Sequence, residues 1–106
     1  AAARKLVRSV FFKGMAAAVG EALEAARRLG CEQETWQNIA ETLAAADAHL
    51  VDRLVEGSLR HARRRREEMA AAAEMLKALG ITPHMAQATE AWLADLFEQT
   101  RQRPVE

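Results

Sequence analysis

Of the 106 residues, one is cysteine, none is tyrosine, two are proline and five are glycine. A lone Cys31 excludes an intramolecular disulfide and fits a reducing compartment, here expected to be the cytoplasm. So few turn-forming residues cannot punctuate a β-rich chain. No apolar run is long enough to span a bilayer, and no basic-then-apolar leader opens the chain. Formal net charge is zero, which removes the general electrostatic argument for a nucleic-acid or membrane partner. There is no glycine-rich phosphate loop, no zinc-ligand spacing and no nucleophile elbow.

What the chain does have is alanine, which favours helix and lets backbones pack closely. Large apolar side chains are modest in number, so the core is expected to be thin and to need a neighbour. The composition predicts an all-α domain over residues 1–106. The chain opens with Ala1, Ala2 and Ala3 rather than Met, and the expectation is a fragment that begins in mid-protein.

Apolar spacings of three and four predict about five helices. The first is long, Ala2 to Leu29, with one buried stripe through Leu6, Val7, Val10, Phe11, Met15, Ala18, Val19, Ala22, Leu23, Ala26 and Leu29. Gly30 closes it. A second is expected from Gln33 or Glu34 to about Ala46, and a third, capped by Asp47, from Ala48 to about Glu56, with one bent helix over both segments as the alternative. Gly57 and Ser58 then read as a stop and a new N-cap. A fourth is expected from Leu59 to Leu79, ended by Gly80. Thr82 as N-cap and Pro83 at the first helical position start the fifth, which runs to about Gln99. Arg101, Arg103 and Pro104 lie in an expected frayed end.

Two stretches can carry chemistry. Lys5 and Ser9 share a face of the first helix, one turn apart. A lysine roofed by a neighbouring domain can serve in acid/base chemistry; on an open face it is merely solvated. Arg60, His61, Arg63, Arg64, Arg65 and Arg66 precede Glu67 and Glu68. Most of these read as a solvated face with Arg63–Glu67 and Arg64–Glu68 pairs. Arg65 and Arg66, however, fall near the apolar line from Ala62 to Met69, where a guanidinium needs a partner. His61, Arg64 and Arg65 suit a carboxylate or phosphate. His49 and His84 read as surface or cap residues, no metal site is expected, and Cys31 reads as a packing residue.

The segment from Lys5 to Gly14, the segment from Glu21 to Gly30, the stretch Arg60-His-Ala-Arg-Arg-Arg-Arg-Glu-Glu-Met69, and Leu79-Gly-Ile-Thr-Pro83 together give the chain a family likeness. They resemble the C-terminal helical domain, formally of unknown function, that follows the NAD-binding domain of 6-phosphogluconate and β-hydroxyacid dehydrogenase-like oxidoreductases. The resemblance implies a helical bundle with a long first helix and an N-terminal Rossmann domain upstream that holds NAD or NADP. It implies a homodimer and a small anionic substrate such as a hydroxy acid. It also implies that the fragment alone is inactive although the whole protein is a dehydrogenase. Lys5 stands where the superfamily has its catalytic lysine, with Lys13 as second candidate. Ser9 stands where the superfamily has an asparagine. Arg-Arg-Glu-Glu-Met replaces a lysine–aspartate pair. His61, Arg64 and Arg65, with Ser9, are the implied substrate contacts. The alternative is a helical dimerisation or interaction module with no catalytic activity.

Overall fold

The computed structural model describes residues 1–102. They form five helices and, among the described residues, no strand. These are α1 (Ala2–Leu29), α2 (Glu32–Ala44), α3 (Ala48–Arg60), α4 (Ala62–Ala78) and α5 (His84–Gln102). No described helix is long and apolar enough to cross a membrane. The expected fraying at Arg103 and Pro104 lies outside the described residues.

α1 and α2 form an antiparallel hairpin, and α4 and α5 pack most closely of all the pairs, with α3 set against both. The two tight corners use the same chemistry. Gly30 has φ 78°, with Gly30 N–H donating to Arg27 and Cys31 N–H to Ala26. Gly80 has φ 78°, with Gly80 N–H donating to Lys77 and Ile81 N–H to Leu76. Both are left-handed Schellman closures, which glycine adopts without a steric penalty. Asp47 caps α3 as expected, its carboxylate accepting from His49 N–H at 2.9 Å.

The expected break at Gly57 and Ser58 is not there. α3 runs on to Arg60, and the kink falls at His61. Gly57 lies within α3 because a side chain occupies the space beside it: a Cβ there would meet the Arg65 guanidinium at 2.7 Å. Ser58 is buried, and is no N-cap.

α5 also starts differently. It begins at His84, with Gln87 N–H donating to Pro83. Its cap is not Thr82 but Glu21, from α1. That carboxylate accepts from Met85 N–H at 2.9 Å and from Ala86 N–H at 2.8 Å. These are the orphan donors that an N-cap side chain normally satisfies. Two turns along α1, Arg28 donates to the Leu79 carbonyl at 2.6 Å, at the C-terminal end of α4. α1 therefore holds the α4–α5 corner from both sides, with an acid on a helix start and a base on a helix end, each matching the local dipole.

The core is small and made largely of alanine. Ala25, Ala73, Leu76 and Ala86 form its buried cluster, with Ala72, Leu79 and Ile81 against it. Of the expected buried stripe of α1 only Ala26 is buried, with Met15, Val19 and Leu23 half-buried and Ala18, Ala22 and Leu29 exposed. Leu6, Val7, Val10, Phe11 and Phe12 are all more than half exposed, Val10 at 78%. α2 packs back along α1 but is only 13 residues against 28, so the first half of α1 projects beyond the bundle as an arm.

Candidate functional site

The kink at His61 gathers the arginine-rich stretch into an open cleft. Leu59, Arg60, His61, Arg63, Arg64, Glu67, Phe97 and Thr100 line a space of about 450 Å³. Its chemistry is cationic on the α3–α4 side and apolar on the α5 side, where Phe97 lies. Arg63 is paired with Glu67 at 3.6 Å, as its spacing predicts. No Arg64–Glu68 ion pair is found among the described residues, so Arg64 lines the cleft without an acidic partner on its own helix. Partial burial lowers the pKa of His61, and Arg64, Arg65 and Arg60 push it the same way. The imidazole is therefore held towards its neutral form, which both donates and accepts.

Arg65 faces elsewhere. Its Nη1 reaches Ser58 Oγ at 3.5 Å, with the guanidinium over Gly57. It is half-buried, whereas Arg66 is exposed. The partner that a core-facing guanidinium needs is thus the Ser58 hydroxyl. Arg65 braces α4 on α3 beside a second space, lined by Ser58, Arg64, Glu68, Thr89 and Trp92. Of the three donors in the sequence pattern, the structure brings His61 and Arg64 together and turns Arg65 away.

Lys5 and Ser9 lie on the projecting arm, not along this cleft. Lys5 is exposed and Ser9 half-buried. Lys13, on the same arm, is exposed too. His49 is the second residue of α3 and His84 the first of α5, both exposed. No group of three His, Cys, Asp or Glu side chains converges among the described residues. Cys31 starts α2, half-buried, and accepts from Thr35 Oγ1 at 3.8 Å.

Sequence reasoning missed Glu21, because its partners are 64 and 65 residues away. A carboxylate at the edge of an otherwise apolar stripe was the one available signal. It also missed the shallow apolar space of about 370 Å³ between α1, α2, α4 and α5, lined by Ala22, Ala26, Cys31, Met69, Met75 and Met85.

This bundle defines a class of small all-α domain with a cationic cleft at a helix kink. A family model, Domain of unknown function (DUF1932), matches residues 26–96, and the chain belongs to that family. The match includes His61, Arg64 and Arg65 but not Lys5 or Ser9. No curated protein and no solved structure gives a significant match.

Proposed function

We propose that this chain is the C-terminal, substrate-side and dimerisation domain of an NAD(P)-dependent oxidoreductase acting on a small hydroxy acid or related alcohol. The observation that supports it is membership of the DUF1932 family. That is the kind of domain which the motif resemblance links to an NAD-binding neighbour in 6-phosphogluconate and hydroxyacid dehydrogenase-like proteins. NAD or NADP is assigned to a Rossmann domain of the same polypeptide on the strength of the motif resemblance. The residues here have a narrower part.

Lys5 hydrogen-bonds the substrate oxygen and carries its proton. Ser9, one turn on, orients that oxygen. The cleft residues His61 and Arg64 hold the anionic group, Arg64 by a charge-assisted bond and His61 as it becomes protonated. Arg65 supports them by fixing α4 on α3. The arm and the cleft share no lining residue within one chain, and the anion clamp acts on the substrate from the same chain or from a partner subunit.

The test is Lys5→Ala in the oxidoreductase carrying this domain. Turnover is expected to fall by roughly 100-fold or more, as when a general acid/base is lost, with dinucleotide affinity unchanged. Unchanged turnover would remove Lys5 from the mechanism. One observation favours a second reading, a helical interaction module without activity. The arm and α3 expose Leu6, Val7, Val10, Phe11, Leu54 and Val55, a surface that association alone would account for. That reading leaves turnover indifferent to Lys5 and His61 alike.

A further inference from the structure

Arg65 is half-buried and poorly served with acceptors. A guanidinium donates from every nitrogen, yet the acceptor it meets here is Ser58 Oγ, at 3.5 Å from Nη1. Glu68 follows on α4, with Arg64 and Arg65 four and three residues before it. Among the described residues it pairs with neither. Acids and bases at the same separations do close elsewhere in the chain, Arg63 with Glu67, Lys77 with Glu74 and Arg101 with Glu98. The Arg65 head is instead drawn back towards α3, into the room that Gly57 leaves, where a Cβ would meet it at 2.7 Å. A cation and a carboxylate on one side of α4 are thereby held apart rather than joined.

Both line the same space, of about 430 Å³, between α3, α4 and α5. Its charged residues are Arg64, Arg65 and Glu68. From α3 comes Ser58, 9% exposed, whose hydroxyl accepts from Arg65 and keeps a proton to donate. From α5 come Thr89, Trp92 and Leu93, on one face at helical spacing. Trp92 is 54% exposed and Leu93 is buried. The space therefore offers cationic donors, one carboxylate, and an apolar wall with an aromatic ring in it.

That set of groups selects its ligand. A simple anion is repelled by Glu68, and a simple cation by Arg64 and Arg65. A molecule with both charges on neighbouring carbons meets each. Its carboxylate accepts charge-assisted bonds from Arg65 and a further bond from the Ser58 hydroxyl, and its ammonium donates to Glu68. Positions three apart on a helix have Cβ atoms about 5–6 Å apart, a separation that such a pair of groups spans. We propose that this space binds a free α-amino acid with an apolar side chain, the side chain lying along Trp92 and Leu93. The site is separate from the His61 cleft, although Arg64 lines both. It does not rest on the oxidoreductase reading.

The test titrates the 106-residue chain with L-leucine by calorimetry and by NMR. A dissociation constant of about 1 mM or tighter is expected. The indole N–H signal of Trp92 should shift on saturation, while that of Trp36, on α2 and outside the space, stays in place. Two analogues divide the charges: 4-methylpentanoate lacks the ammonium, and 3-methylbutylamine lacks the carboxylate. Each should bind roughly 10-fold or more weaker, the effect of a lost hydrogen bond to a charged group. Arg65→Ala also removes the brace on Ser58, so the deciding variant is Glu68→Gln, at an exposed position. It should weaken leucine by a similar factor and strengthen 4-methylpentanoate, by removing the repulsion. A structural effect would move both ligands the same way. Gly57→Ala favours helix but displaces the Arg65 head, and should weaken leucine and 4-methylpentanoate alike. His61→Ala should alter neither. No leucine binding up to about 10 mM would overturn the proposal. So would 4-methylpentanoate binding as tightly as leucine, a Glu68→Gln chain that weakens both ligands equally, or a shift at Trp36 without one at Trp92.

Discussion

His61 closes α3 and opens α4, so one residue sets both the kink and the cleft chemistry. Its partial burial comes first and the neighbouring cations second in lowering its pKa. Both disfavour imidazolium in the folded chain. The sign of the linkage follows: a histidine depressed on folding contributes stability above its ordinary value, and loses it as pH falls through the folded midpoint. In a histidine NMR titration, His61 should titrate below 6.5, the ordinary histidine value. Arg64→Ala should move that midpoint up. Inorganic phosphate, if it enters the cleft, should raise it too, and bind more tightly as pH falls. A His61 midpoint at or above 6.5 would show that neither its partial burial nor the neighbouring cations act on it in solution. This cluster was legible in the sequence because its members are adjacent. The turn of Arg65 towards Ser58 was half legible: its place on the apolar line demanded a partner, but the partner is the hydroxyl of a residue misread as a helix start.

Elements are joined here by side chains that satisfy one another's ends. Gly30 and Gly80 announced their corners because glycine after a run of helical spacing with a base in the last turn has one common use. Gly57 carried the same letter and meant something else, room for the Arg65 guanidinium. The cap of α5 was illegible for a different reason. Thr82 and Pro83 supply a complete local start signal, yet the donors at Met85 and Ala86 are met by Glu21, far away in sequence. Propensity locates the start of α5 to within a residue, and tertiary contact decides which oxygen caps it. Glu21→Ala should therefore lower unfolding free energy by about 1–2 kcal/mol, the cost of an ordinary lost cap, as read by urea denaturation. Thr82→Ala should cost less than half of that. The reverse order would return the capping role to Thr82.

For the whole molecule, a thin core of Ala25, Ala73, Leu76 and Ala86 and a projecting apolar arm are two aspects of one fact. The sequence reading of an alanine-rich core in need of a neighbour anticipated the first. It did not anticipate the second, since periodicity alone cannot tell a stripe buried within a chain from one buried between chains. If a second copy covers the exposed apolar residues of the arm and of α3, as the dimerisation half of the proposed function requires, much of the stability belongs to the dimer and must depend on concentration. Raising the chain concentration tenfold adds about 1.4 kcal/mol per mole of dimer. For two chains of 106 residues unfolding together, that shifts the thermal midpoint by about 3 °C. Val10→Asp should melt lower and with a midpoint independent of concentration. A wild-type midpoint equally independent of concentration would mean that the 106-residue chain carries its stability alone, through the Glu21 and Arg28 contacts and the alanine core, and that the arm is no part of it.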